Sequence, residues 1–141
     1  MLKLKNYDLV NVAEFLDKVE LPPKASRART KLNRLLISKI GELNNDEREL
    51  LEKYGKKDES GSLIENNGNF SLVEETAAEF HKEKAALFEE DTSVNVAEIK
   101  DKFGTLIEAL ENSDMKVSGK DAEALDLLLD ALEGEVVVRE N

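Results

Sequence analysis

Cysteine is absent from the 141-residue chain, which excludes disulfides, thiolate metal sites and cysteine nucleophiles. Tryptophan is also absent, and aromatics make up 5 % of the residues, so large ring anchors of the kind that dominate tight interfaces are scarce. One histidine, His81, is all the imidazole available for acid–base or metal chemistry. No apolar run approaches the ~20 residues of a membrane span, and MLKLKNYDLV does not read as a signal peptide. There is no glycine-rich phosphate loop, no dinucleotide fingerprint and no His-Glu-x-x-His pattern. These absences point to a cytoplasmic protein with no membrane span, no cofactor and no catalysis.

What the chain has in quantity is charge, at 36 % of residues with a net of −11. It is unevenly divided. Residues 1–57 hold 13 Lys or Arg against 9 Asp or Glu, a net of +4, whereas residues 58–141 hold 7 against 22, a net of −15. Nucleic-acid binding over a broad surface is not expected, because phosphate contacts need clustered positive charge. Only Lys24, Arg27, Lys31 and Arg34, spaced three or four apart and so on one helical face, could supply it. The plain alternative is that this face pairs with acids of the same chain or a neighbour, or is simply solvated.

Leu, Ile, Val and Phe account for 41 residues, about 29 %, above the roughly 20 % below which disorder is expected. One mainly α domain over residues 1–141 with a small β component is predicted. Its organising element is Lys24 to Tyr54, where Ala28, Leu32, Leu35, Leu36, Ile40, Leu43, Leu50, Leu51 and Tyr54 recur at the helical period. Gly41 and Asn44-Asn45-Asp46 weaken its middle, and Asp46 with Glu49 could cap a restart. The stretch therefore reads as a long central helix kinked or broken near Asn44.

Before it, Leu2-Lys3-Leu4-Lys5 alternates as a short strand, and Asn6 or Asp8 could cap a helix that Pro22-Pro23 ends. After it, Asn67-Gly68 between apolar segments predicts a β-hairpin over roughly residues 62–73. A lone hairpin is marginal in water, so this one needs a partner element. Helices follow through Phe80 and Phe88, through Phe103 and Leu106, and through Leu125 to Leu132, the last stopping at Gly134. Residues 92–96 suit a short extended piece, and the β-branched tail from Glu135 to Arg139 reads as a terminal strand, its glutamates complementary to Lys3 and Lys5.

Candidates for chemistry are few. His81 lies mid-helix with no cysteine near it, as an ordinary surface histidine would. Glu89-Glu90-Asp91 and the face of Asp126, Asp130 and Glu133 could attract a cation, but neither follows the alternating oxygen pattern of a calcium loop. They read as solvated backs of amphipathic helices, so no metal is expected.

Several phrases together carry a family likeness: Lys5-Asn6-Tyr7-Asp8-Leu9, Lys24-Ala25-Ser26-Arg27-Ala28-Arg29, Lys57-Asp58-Glu59-Ser60-Gly61, and Ser118-Gly119 before a leucine-rich last helix. The chain resembles a family of small proteins of unknown function encoded by phages and prophages of Gram-positive bacteria. The likeness is densest over the first forty residues. It implies a phage origin, a bacterial host cytoplasm and no catalysis, and it directs attention to Ser26, Arg27 and Arg29. The candidate interaction face is therefore Lys24, Ser26, Arg27, Arg29, Lys31 and Arg34. A non-enzymatic accessory protein that binds another phage protein or itself, for instance in virion assembly, is the leading expectation. The alternative is an acidic inhibitor that imitates phosphate charge against a host defence or nucleic-acid enzyme.

Overall fold

A computed structural model describes residues 1–140, and for residues 137–140 only the course of the backbone. In chain order the elements are β1 (Leu2–Lys5), α1 (Asn6–Lys18), α2 (Pro23–Tyr54), β2 (Glu65–Asn66), β3 (Asn69–Phe70), α3 (Ala77–Glu89), β4 (Asp91–Val94), α4 (Phe103–Glu111) and α5 (Gly119–Glu140). Single 3-10 turns at Glu74–Thr76 and Lys100–Lys102 lead into α3 and α4. The architecture is mainly helical, with two small antiparallel sheets, as the periodicities imply. Two compact units form: Met1–Ile40 with the segment from Asp91 onward, and Gly41–Glu90. The long helix α2 contributes residues to both.

In the first unit, β1 pairs antiparallel with β4, Leu2 opposite Val94 and Leu4 opposite Thr92. The period of two puts Leu2, Leu4 and Val94 inside and Lys3 and Ser93 outside. α5 packs along α1, α4 and β1. The core gathers Leu9, Val12, Phe15 and Leu16 of α1, Phe103, Leu106 and Leu110 of α4, and Ala124, Leu128 and Leu132 of α5. From α2 it takes Ala25, Ala28, Leu32 and Leu36, the apolar stripe read from the sequence.

Three expectations are corrected. α2 is one continuous helix of 32 residues, with no break near Asn44. Gly41 costs about 1 kcal/mol there, whereas a break would leave up to eight backbone groups without intrahelical partners. The predicted terminal strand at Glu135 to Arg139 is instead helix, because α5 runs through Gly134 to Glu140. Each β-branched residue costs a helix only a few tenths of a kcal/mol, and β1 already pairs with β4. Neither Asn6 nor Asp8 caps α1, whose N-cap position is Lys5 with no side-chain cap bond. Asn6 is instead buried and accepts a hydrogen bond from the Thr92 hydroxyl, which ties α1 to β4.

The chain start and α5 do meet, although not as strands. The buried Glu135 carboxylate lies 3.2 Å from the Met1 amino group and 3.2 Å from Lys100 Nζ. Lys5 pairs with Asp91 at 3.7 Å instead. Burial pushes the Glu135 carboxyl up, but the hydrogen bonds and charges of Lys100 and the amino group outweigh it and hold the group below its ordinary 4.5.

In the second unit the hairpin forms with Asn67 at φ 53° and Gly68 at φ 84°, the left-handed pair that a two-residue type I′ turn requires. Glu65 faces Phe70 and Asn66 faces Asn69. The strand partner that a lone hairpin needs is the chain just after α2. Gly55 bridges to Leu72 and Lys57 to Leu63, with Lys56 N–H donating to Ser71 O at 2.8 Å and Ile64 N–H to Lys56 O at 2.9 Å. Tyr54 meets Phe80 edge-on at 6.2 Å and donates its hydroxyl to Glu83 at 3.0 Å, joining α2 to α3. Arg48 lies over the Phe70 ring, 5.3 Å from its centroid.

Two outcomes follow. A Cβ at Gly55 would lie 2.5 Å from Leu63 Cδ2 and 2.6 Å from Leu51 O, so Gly55→Ala should destabilise residues 41–90 by about 1–3 kcal/mol, read as loss of amide exchange protection there. Glu135→Gln should cost about 1–3 kcal/mol at neutral pH in urea unfolding, since it strips a buried carboxylate from Lys100. Because the native pKa is depressed, that contribution is complete above about pH 4.5 and is lost as the pH falls through the lower native value. The gap between wild type and Glu135→Gln should therefore close in acid.

Candidate interaction site

Pro22-Pro23 forces the turn between α1 and α2, and the proline pair sets α2 off with Lys24 in its first turn. From there the helical period sorts the basic residues into two groups. Lys24, Arg27, Lys31 and Arg34 fall on the exposed side of α2, away from Ala25, Ala28, Leu32 and Leu36. Ser26 and Arg29 fall on the flank toward α1 and are half-buried.

Arg29 is thereby committed to the fold. Its Nη1 donates to Leu16 O at 2.9 Å and Val19 O at 2.8 Å, its Nη2 to Ser26 Oγ at 2.6 Å, and its Nε to Ser26 O at 3.3 Å. Leu16 and Val19 carry carbonyls at the C-terminal end of α1, which lack helical donors and bear partial negative charge. The planar guanidinium closes that end, and the Ser26 hydroxyl holds the fork in place. The oxygens that hold Arg29 are thus backbone carbonyls and a hydroxyl, with no carboxylate among these hydrogen-bond partners. Ser26 lies inside α2, which begins at Pro23, and its hydroxyl serves Arg29.

The outward row behaves differently. Among the described residues, Lys24, Arg27, Lys31 and Arg34 form no ion pair, although acids outnumber bases 31 to 20 in the chain. Lys102, in the turn before α4, is likewise exposed and without one. It joins Lys24, Arg27, Lys31 and Thr105 around a cleft of about 300 Å³. On one side this cleft shares Lys24 and Thr105 with a hollow of about 660 Å³, whose walls include Leu21, Pro22, Pro23, Ala25 and Ala109. On the other, Lys31 and Arg34 border a hollow of about 650 Å³ with Leu35, Val96 and Ile99. The row thus runs past three adjoining depressions, the central one ringed by cations and the outer two lined by apolar side chains together with Glu20 and Glu108 on one side and Glu98 on the other.

The sequence named the four cations of α2 but not Lys102 or Thr105, because their approach to α2 is tertiary and no local spacing announces it. The remaining candidates are placed elsewhere. His81 is exposed on α3, edge-on to Phe80 at 5.4 Å. Asp126, Asp130 and Glu133 share an exposed face of α5 with Glu123. Among the described residues no three His, Asp or Glu side chains gather as a metal set. No helix among them is long and apolar enough to cross a membrane.

A family model described as a protein of unknown function (DUF1617) matches residues 1–137, nearly the whole chain. The chain belongs to this family. No curated protein and no solved structure matches it. The family assignment covers the α1–α2 turn, the basic row and most of α5.

Arg29 and Arg27, two positions apart, should therefore differ sharply in their response to mutation. Arg29→Ala should lower stability by about 2–3 kcal/mol, as charged hydrogen bonds to otherwise unpaired carbonyls are lost, and Arg29→Lys should not restore it because an ammonium cannot span the same fork. Arg27→Ala should stay within about 0.5 kcal/mol of wild type. Urea denaturation of the three variants checks this.

Proposed function

We propose that this is a non-enzymatic binding protein of phage or prophage origin, which acts in the host cytoplasm by docking a protein partner on the exposed face of α2. One observation carries the reading: four cations in register, joined by Lys102, are left without ion pairs in a chain of net charge −11. Acids are abundant in the same chain, and Glu20, Glu98 and Glu108 line the adjoining hollows, yet none pairs with the row, which leaves its cations available to an outside acidic group. The flanking hollows, walled by Leu21, Pro22, Ala25 and Leu35, favour a protein over a nucleic acid, because phosphate backbones carry no apolar side chains to fill them. A role in assembling the virion is the setting this reading favours.

A second reading, the acidic inhibitor, has one feature in its favour. Glu123, Asp126, Asp130 and Glu133 line a single exposed face of α5 over about 15 Å. It ranks lower because exposed acids also occur on α1, α2 and α3, as on ordinary solvated surface.

The test is a comparison of captured partners from phage-infected cells at low salt, using the wild-type chain and a chain carrying Lys24→Glu, Arg27→Glu, Lys31→Glu and Arg34→Glu. Loss of a specific phage protein from the reversed chain is the expected result. An unchanged partner set, or nucleic acid as the only captured species, would overturn the reading.

A further inference from the structure

We infer that the acidic partner of the cationic row includes a second copy of this chain, presenting the exposed face of α5. This rests on the reading of the row as a docking surface and names what docks there.

The two faces match in number, spacing and sign. Lys24, Arg27, Lys31 and Arg34 are separated by three, four and three residues, and so are Glu123, Asp126, Asp130 and Glu133. Each row extends over about 15 Å of helix at 1.5 Å per residue, with at least one charge on every turn. The 3-4-3 spacing reads the same in both directions, so four opposed pairs form whether the helices run parallel or antiparallel. All eight side chains are exposed, and among the described residues none of them forms an ion pair within its own chain. By contrast Asp121, two residues before the row on α5, is taken by Lys18 at 2.8 Å, and Glu135 by Lys100.

The backs of both rows are anchored, so the charges face outward on fixed helices. Ala124, Leu128 and Leu132 bury the opposite side of α5, as Ala28, Leu32 and Leu36 do for α2. Half-buried Leu127 and Leu129 flank the acidic row, and half-buried Leu35 and exposed Ile37 flank the basic one. Apolar contact at the margins adds to charge pairing, which alone is weak in water. Both faces belong to the same compact unit, so each copy offers one of each kind. A symmetric pair satisfies both faces in both copies, whereas a head-to-tail contact leaves one face open at each end and adds further copies.

Analytical ultracentrifugation of the purified chain over a rising concentration series tests this. The wild type should associate near physiological salt and lose about tenfold in affinity at about 1 M salt, where the Debye length is about 3 Å. Arg27→Glu with Lys31→Glu should be monomeric, as should Asp126→Lys with Asp130→Lys, both with wild-type circular dichroism. Mixing the two reversed chains should restore association as a one-to-one complex, because each then meets the opposite sign. A wild-type chain that stays monomeric up to about millimolar concentration would overturn the inference, as would folded reversed chains that fail to associate when mixed. If the wild type is monomeric while the row-reversed chain still loses its phage partner, the second copy is excluded and the docking surface stands.

Discussion

The guanidinium of Arg29 on the carbonyls of Leu16 and Val19 is the contact from which the geometry of the site follows. It ends α1 and fixes where α2 departs from it, across the turn that holds Leu21, Pro22 and Pro23. With that flank of α2 committed to α1, and Ala25, Ala28, Leu32 and Leu36 turned to the core, the direction of Lys24, Arg27, Lys31 and Arg34 is determined by the helical period alone. A cation turned inward holds the scaffold, and the four turned outward form no ion pair among the described residues. The same turn supplies one wall of a hollow beside the row.

A comparable division operates on α5. Glu135 is drawn into the unit and balanced by Lys100 and the Met1 amino group, which lets a carboxylate be buried at acceptable cost. The carboxylates at 123, 126, 130 and 133 stay outside. In both helices a charged group drawn inward is held by the fold, and a regular outward row forms no ion pair among the described residues. The buried side chain of Asn33 is a smaller exception, since its Oδ1 has no hydrogen-bond partner.

Much of this was legible in the sequence where the signal was local. The helical stripe from Ala28 to Tyr54, the turn at Asn67-Gly68, the alternation of Leu2 and Leu4, and the shared face of the four cations each depend on spacing within a few residues. What failed depended on competition between distant parts. Val136 and its β-branched neighbours suit a strand by propensity, but a helix already under way from Gly119 continued through them. Gly41 and Asn44 look like a break until the cost of opening both helix ends is weighed against them. Asn6 has the chemistry of a cap, and Thr92, far away in sequence, claims its oxygen instead. The approach of Lys102 to α2 and the carbonyl partners of Arg29 left no trace in local pattern.

The central claim is that the outward row on α2 is uncommitted within the single chain, and the reactivity of its amines measures that directly. Lysine acetylation rates can be read residue by residue by mass spectrometry, on dilute chain so that each molecule is alone. Lys24, Lys31 and Lys102 should react as freely as lysines in an unfolded peptide, while Lys100, held by Glu135, reacts slowly. Protection of Lys24 and Lys31 equal to that of Lys100 would contradict the account, because it would mean that the row is already paired inside the molecule.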